Sequence, residues 1–211
     1  MGGNDSKKSH PPRMNFLAHA FLAGPQAADR VGGLMGDFVK GSLPGALPAD
    51  LAAGVELHRR IDSFADSHVA FRASRQRMSA ARRRYAGVLV DMFYDHLLAR
   101  HWSRFHPQPL KVFTGESYAL LRLRAAHLPP RLASFLPSME GDDWLASYAE
   151  VDTIAYALER MSQRIVRTNP LAGAAEELQR DYAAFEADFL AFLPDAAAFA
   201  AGIRASRSSA N

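Results

Sequence analysis

The sequence predicts an all-α protein that forms a single globular helical domain, and three observations support this prediction. Apolar residues recur at intervals of three and four along most of the chain, which is the period of a helix with one buried face. No segment shows the sustained alternation of apolar and polar residues, or the Asn-Gly or Asp-Gly turn, that indicates a strand or hairpin. The length of 211 residues suits one domain with a substantial core.

The predicted helices follow one another along the chain and are separated by Pro and Gly. The helical period appears in MNFLAHAFLA, DLAAGVELHRRIDSF, residues 81–106, LKVFTGESYALLRLRAAHL, DTIAYALERMSQRI and AAEELQRDYAAFEADFLAFL. Pro48 falls in the first turn of the helix that carries His58, a position that tolerates proline. There is neither an internal repeat nor a sustained heptad, so the pattern favours a globular domain over a solenoid or coiled coil.

The two ends of the chain are polar and differ from the rest. We predict a disordered extension over residues 1–13, the helical domain over 14–200 and a flexible tail over 201–211. No apolar run approaches the roughly 18–20 uncharged residues that span a bilayer. Residues 1–13 also lack the apolar centre of a secretory signal. Together with the absence of cysteine, this predicts a cytoplasmic protein that does not bind membranes.

Basic residues are distributed unevenly, although the net charge is only +3. No acidic residue occurs between Ser67 and Val90, and six arginines lie in that interval: Arg72, Arg75, Arg77, Arg82, Arg83 and Arg84. Such a window is either a solvated face or a binding surface for an acidic protein or a phosphate. It has few aromatic residues for base stacking, and the chain has no zinc-finger or RNP signature, which argues against nucleic acid.

Histidines and aspartates are concentrated in three segments. In LHRRIDSFADSH, His58 and Asp62 are four residues apart and share one helix face. In VLVDMFYDHLLARHW, Asp91 and Asp95 share a face, and His96 follows Asp95 within apolar surroundings. The third segment is LMGDFVKG, in which Asp37 precedes a turn and is either a turn-stabilising group or a ligand.

Carboxylates on apolar helices are costly to bury unless they reach solvent, pair with basic groups or coordinate a cation. A buried network of aspartate and arginine is the simpler interpretation of any one pair. Two such pairs on separate helices favour a metal site between facing helices. Because the chain has no cysteine, the ligands would suit Mn²⁺, Mg²⁺, Fe or Zn²⁺, ions that activate water toward phosphoesters. His19, in an apolar helix, could approach such a site, but we interpret it as a hydrogen-bonded core histidine.

Five blocks resemble one family in their combination and order. MNFLAHAFLA, GDFVKG, LHRRIDSFADSH, DMFYDHLLARHW and DWLASY are similar to blocks of the acyl carrier protein phosphodiesterases, and the match runs from Met14 to about Pro194. The resemblance implies a metal-dependent phosphodiesterase that removes 4′-phosphopantetheine from holo acyl carrier protein, with Mn²⁺ preferred over Mg²⁺, Fe²⁺ or another divalent ion. It also implies a fold distantly similar to the HD phosphohydrolases, with the motif order rearranged.

The resemblance further implies roles for individual residues. The metal ligands it indicates are Asp37, His58, Asp62 and Asp91. It assigns Asp95 and His96 to a ligand, orienting or acid/base role. Arg59 and Arg60 flank His58 in the sequence, and we expect one of them to bind the phosphate. Since acyl carrier proteins are small and acidic, the six arginines of the 72–84 window become candidates for partner binding.

Two alternatives remain open at this stage. An HD-type phosphohydrolase acting on a nucleotide or a small phosphodiester would use the same ligands. A helical module that binds an acidic protein without catalysis would need neither the metal nor the aspartates. The sequence does not predict the number of metal ions or the oligomeric state.

Overall fold

The computed structural model describes residues 15–209, so the extension predicted for residues 1–13 lies outside the described residues. Within residues 15–209 there are α-helices and short 3₁₀ helices but no strand, which confirms the all-α prediction of one helical domain. The α-helices are α1 Phe16–Leu22, α2 Ala27–Met35, α3 Ala49–Ser67, α4 Val69–Arg77, α5 Ala86–Arg100, α6 Leu110–Leu123, α7 Pro130–Gly141, α8 Trp144–Ser147, α9 Val151–Arg164, α10 Ala175–Arg180 and α11 Tyr182–Ser208.

Helix α5 lies at the centre of the fold. Its sequence is apolar on all sides, and every described residue from Val88 to Ala99 is buried. A helix of this kind must be covered on all faces, and α1, α4, α8, α9 and α11 pack around it. The polar side chains that α5 does carry, Asp91, Asp95 and His96, are therefore forced into the interior.

Asp95 fastens α1 to α5. Its carboxylate accepts hydrogen bonds from the backbone N–H groups of Leu17 and Ala18, at 3.0 and 2.8 Å. These two donors belong to the first turn of α1 and have no partner within that helix. Any negative charge on this carboxylate also interacts favourably with the dipole of α1. The contact fixes where α1, and with it His19, sits against α5.

Helices α2 and α3 approach each other through glycine. A Cβ placed on Gly32 would lie 2.4 Å from the backbone carbonyl carbon of Gly54, so a side chain there would separate the two helices. The close approach brings the C-terminal end of α2, and the 3₁₀ helix Gly36–Phe38 that follows it, directly against α3. Asp37 and His58 are neighbours for this reason.

The C-terminal segment differs from the sequence prediction. Helix α11 continues to Ser208, so residues 201–208 do not form the flexible tail that was predicted. Ile203 is buried, Arg204 donates to the carbonyl of Leu22, and Arg207 donates to Ala53 O and to Asp29. These contacts, which the local sequence does not reveal, keep the helix ordered.

By length and composition alone, α11 is also apolar enough to cross a membrane, over Tyr182–Arg207. In this fold its aromatic residues Phe185, Phe189 and Phe192 pack into the core.

A candidate metal centre between α1, α2 and α3

His58 is held in a fixed orientation from three sides. Its Nδ1 donates a hydrogen bond to the carbonyl of Gly33, at 2.9 Å. Its ring stacks on that of His19, with centroids 3.8 Å apart, and a Cβ at Gly36 would lie only 2.3 Å from its Cγ. With Nδ1 protonated, Nε2 of the neutral ring carries the free lone pair. The backbone thus presents Nε2 of His58 to the carboxylates on the other side of the ring.

Asp62 lies between the two histidines. One of its oxygens, Oδ1, accepts a hydrogen bond from Nε2 of His19 at 3.2 Å, and the other, Oδ2, lies 3.6 Å from Nε2 of His58. The i, i+4 spacing on α3 places His58 and Asp62 on one face, as the sequence predicts. The side chain of Asp62 is 21% exposed, whereas His19 and His58 are 1% and 3% exposed. The cluster therefore reaches solvent through Asp62.

Asp37 closes the cluster from the end of α2. Its Oδ1 lies 3.7 Å from Nε2 of His58, and its side chain is 9% exposed. Asp37 stands in the 3₁₀ helix Gly36–Phe38 instead of in α2 itself, so its carboxylate points across to α3. Nε2 of His58 thus lies near two carboxylates, that of Asp37 after α2 and that of Asp62 on α3.

The donor atoms fit a single divalent cation. His19, His58 and Asp62 each offer one ligand atom, and these atoms lie within 4.8 Å of one another. Two ligands bound roughly 2.1 Å from one ion lie roughly 3 to 3.5 Å apart, and the separations of 3.2 and 3.6 Å in this cluster are close to that range. The hydrogen bond from Nδ1 of His58 to a backbone carbonyl is the usual outer-shell partner of a metal-ligating histidine. The residues present therefore fit a metal ion.

The electrostatics of the two histidines differ. Burial and the neighbouring His58 lower the pKa of His19 below 6.5, against the opposing effect of Asp62. Burial also acts to lower the pKa of His58, but the nearby carboxylates of Asp37 and Asp62, 3.7 and 3.6 Å from its Nε2, outweigh it and raise that pKa above 6.5. The carboxylates thus favour the charged form of His58, whereas burial and the neighbouring ring disfavour that of His19.

Asp91 borders a small cavity beside the cluster. The cavity has a volume of about 20 Å³, enough for about one water molecule or ion. Its polar end is formed by Asn15, His19, Asp62 and Asp91, and its other walls are largely apolar. Asp91 is 2% exposed and its Oδ1 accepts a hydrogen bond from Asn15 at 3.4 Å. The structure therefore brings Asp91 to the same cavity as His19 and Asp62.

Asp95 and His96, which were predicted to act in the site, have other contacts. Both oxygens of Asp95 are engaged by the first turn of α1. Burial raises the pKa of Asp95 to about 8, while the two backbone hydrogen bonds oppose that rise. Nδ1 of His96 donates a hydrogen bond to the carbonyl of Tyr148 at 2.8 Å, and its Nε2 lies 3.1 Å from the hydroxyl of Tyr182. His96 also borders a separate polar pocket. A catalytic role for either residue remains a sequence-based prediction.

The two arginines of the HRRID block, Arg59 and Arg60, differ in burial and in contacts. Arg59 is half-buried, and its Nη2 donates to the carbonyl of Val39 at 3.1 Å, in the turn that follows Asp37. Arg60 is exposed. Arg59 is therefore hydrogen-bonded to the chain segment that carries Asp37, whereas Arg60 faces solvent.

Three of the six arginines of the 72–84 window are engaged in ion pairs within the fold. Arg75 pairs with Asp66 at 3.1 Å, Arg77 with Asp188 at 2.9 Å and Arg82 with Glu177 at 2.8 Å. The other three, Arg72, Arg83 and Arg84, are exposed. The prediction that this window binds a partner stays a prediction.

The sequence favoured a hydrogen-bonded core role for His19 over a place in the site. Its position in an apolar helix is typical of a core histidine, yet the structure stacks it on His58 and bonds it to Asp62. Among the described residues its Nδ1 has no hydrogen-bond partner, although the side chain is 1% exposed. His68, the last residue of the LHRRIDSFADSH block, lies beyond the end of α3, and its Nε2 is 3.1 Å from a carboxylate oxygen of Asp195.

The fold and the cluster together define an all-α protein with a compact histidine–carboxylate centre assembled from α1, α3 and the end of α2. The sequence profile of the acyl carrier protein phosphodiesterase family matches residues 14–196, and this chain belongs to that family of enzymes. The resemblance seen in the sequence blocks is thereby confirmed.

Curated relatives agree with the family assignment. The chain is 36% identical over 182 residues to the acyl carrier protein phosphodiesterase of Pectobacterium atrosepticum, covering 86% of this chain and 94% of that protein. It is 34% identical, with the same coverage, to the proteins of that name from Yersinia pestis and Escherichia coli O157:H7. No solved protein structure matches the chain.

Proposed function

We propose that this protein is a metal-dependent phosphodiesterase that hydrolyses the bond between acyl carrier protein and its 4′-phosphopantetheine group, giving the apo carrier. The observation that carries the proposal is the convergence of His19, His58 and Asp62, with Asp37 beside His58, in a chain whose relatives are named acyl carrier protein phosphodiesterase. The substrate and the location of the reaction in the cytoplasm are inferred from those relatives' names and from the sequence.

The cluster supports a bound divalent cation, for which we propose Mn²⁺. His58 would bind through Nε2, His19 through one ring nitrogen, and Asp62 and Asp37 through carboxylate oxygens. A bound ion of this kind polarises a phosphate oxygen and lowers the pKa of water. Asp91 borders the adjoining cavity and would hold water or a further ligand there.

The remaining chemistry falls to the side chains around the cluster. In the reaction, a water oxygen forms a bond to phosphorus while the bond from phosphorus to the serine oxygen of the carrier breaks, and that oxygen takes up a proton. Asp62 is the partly exposed member of the cluster, so its carboxylate is placed to orient the water and accept its proton. Arg59 supplies guanidinium N–H groups beside Asp37 for the phosphate oxygens.

The test is a mass measurement on holo acyl carrier protein incubated with the enzyme, with Mn²⁺ and with EDTA. We expect the mass of the phosphopantetheine group to be lost only with the metal. His58→Ala and Asp62→Ala should lower the rate by at least about 10³-fold, since each removes a ligand and a charge from the centre. Circular dichroism should show that both variants remain folded.

Other outcomes would overturn the proposal. If the holo carrier is unchanged but the protein binds metal and cleaves a small phosphodiester, the substrate assignment fails in favour of an HD-type phosphohydrolase. If the protein neither binds metal nor cleaves either substrate, it is a binding module and the enzymatic proposal fails.

A further inference from the structure

Two arginines from different helices converge on one aromatic ring. The guanidinium carbons of Arg131 and Arg164 lie 5.6 and 5.4 Å from the ring centroid of Phe135. Arg131 and Phe135 are one turn apart on α7, and Arg164 is the last residue of α9. We call these three residues the Phe135 face. The sequence gives no sign of it, because Arg131 and Arg164 are far apart in the chain.

The Phe135 face adjoins the candidate metal centre. The ring of Phe135 packs edge-on against that of Phe38, with centroids 6.4 Å apart and an interplanar angle of 66°. Phe38 directly follows Asp37, whose carboxylate lies 3.7 Å from Nε2 of His58. Phe38 also stacks on Phe16 of α1, at 6.0 Å, so that its ring is held from both sides. The arginines and the cluster are therefore connected by two packed rings.

The charges of the Phe135 face are not used within the fold. Arg131 and Arg164 are exposed, and no acidic side chain among residues 15–209 lies within ion-pair distance of either. Val166, two residues after Arg164, is fully exposed. Arginine and aromatic side chains are enriched at protein interfaces, where an exposed apolar residue also gains from burial.

The substrate's chemistry requires a docking surface next to the centre. A phosphodiester on a serine lies only one short side chain away from the carrier's own surface. The carrier must therefore contact the enzyme around the cluster, and the Phe135 face is linked to the cluster through the ring of Phe38, the residue after Asp37. A guanidinium stacked on a ring keeps its N–H edge directed outward, and its planar fork matches a carboxylate.

We propose that the Phe135 face binds carboxylate groups on the surface of the acyl carrier protein and so positions the carrier's serine at the cluster. This inference rests on the function proposed above. It differs from the sequence-based prediction, which placed partner binding in the 72–84 window.

The test compares variants with the same change in charge. Arg131→Glu/Arg164→Glu is expected to lower kcat/KM for holo acyl carrier protein by roughly 10- to 100-fold, mainly through KM, because carboxylates would then face like charges. Its hydrolysis of bis(p-nitrophenyl) phosphate, which has no protein part, should change less than about threefold. The milder Arg131→Gln/Arg164→Gln should show the same order of effects, and thermal unfolding should confirm that both are folded.

The matched control is Arg100→Glu/Arg104→Glu. Arg100 and Arg104 are exposed, and Arg104 lies 5.8 Å from the ring of Phe105, which reproduces the stacked geometry elsewhere. We expect less than about a threefold change in carrier turnover for this control. An equal loss in both double variants would show an effect of net charge only and would overturn the proposal.

Two further results would also overturn the proposal without touching the proposed function. One is full carrier turnover by Arg131→Glu/Arg164→Glu. The other is a loss confined to Arg83→Glu/Arg84→Glu, which would restore the 72–84 window as the docking surface. Failure of the proposed function is distinguishable, since the unaltered enzyme would then leave the holo carrier intact.

Discussion

The 72–84 window and the Phe135 face are both rich in arginine, but the fold uses them differently. In the window, Arg75, Arg77 and Arg82 are bound by acidic side chains from other parts of the chain. On the Phe135 face, the arginines contact a ring and leave their charge to solvent. A cluster of basic residues in the sequence therefore does not establish a positively charged surface, because acidic side chains from other parts of the chain can pair with them in the folded protein.

Among the arginines of the 72–84 window, Arg82 is expected to contribute most to the stability of the fold. Its guanidinium donates to Glu177, which is 2% exposed, and to the carbonyls of Pro170 and Ala172. We expect Arg82→Ala to lower the free energy of unfolding by about 3–5 kcal/mol, since it leaves a buried carboxylate without its counter-charge. Urea denaturation measures this. Arg164→Ala is the control and should cost no more than about 1 kcal/mol; equal costs would remove the distinction between the regions.

The ion pair between Arg82 and Glu177 should make the stability of the fold depend on pH. Burial acts to raise the pKa of Glu177, but hydrogen bonds from Ser79 and Arg82 and the charge of Arg82 outweigh it and lower that pKa below 4.5. The stabilisation is therefore complete above pH 4.5 and is lost as the pH falls through the lower pKa of the folded state.

We expect Glu177→Gln to be destabilised by about 1–3 kcal/mol at pH 7, a difference that shrinks as the pH is lowered. Unfolding measured between neutral and acidic pH tests this. Glu176→Gln, at the exposed neighbouring position, should show no such trend. A difference for Glu177→Gln that stays constant with pH would contradict the ion pair.

Asp188 is a weaker link between the 72–84 window and the core. It accepts hydrogen bonds from Arg77 and from Ser74, and Ser74 in turn bonds the hydroxyl of Tyr94. Asp188→Ala should cost about 1–2 kcal/mol, because the buried Ser74 loses a charged partner. Arg77→Ala removes only the partly exposed pair and should cost about 0.5 kcal/mol. Thermal unfolding of both variants checks this order, which a larger loss for Arg77→Ala would reverse.

The smallest effect is expected at Arg75. Its pair with Asp66 is open to solvent, with side chains 40% and 42% exposed. A double-mutant cycle with Arg75→Ala and Asp66→Ala should give a coupling energy of about 0–0.5 kcal/mol that declines with added salt. A coupling above 1 kcal/mol would show that even the exposed part of the window is structural.

The long, strongly periodic helices could be predicted from the sequence, whereas the short ones could not. α3, α6, α9 and the N-terminal part of α11 follow the apolar period. Helix α2 was not predicted: it contains Gly32 and Gly33, which weaken a helix, and only the close approach of α3 explains them. Residues 81–106 were predicted as one helical segment but form α5 flanked by 3₁₀ helices.

The candidate site could be predicted where spacing decides it. His58 and Asp62 are close because they share one helix face, and the structure adds Asp37 to them. The contribution of His19 depends on how α1 sits against α3, which no local pattern encodes. For the same reason the contact of Asp95 with α1, across 78 residues of sequence, was beyond prediction. The ligand roles proposed for these residues remain to be tested.

The contact between Asp95 and α1 has a consequence for how the protein matures. Helix α1 leaves the ribosome early, but the acceptor for its first turn is synthesised 78 residues later, and Asp62 follows His19 by 43 residues. A nascent chain that has not yet produced α5 therefore cannot hold His19 in place. The histidine–carboxylate cluster is therefore complete only once α1, α3 and α5 have packed together. Conversely, any ion that binds the assembled centre stabilises the whole fold by mass action.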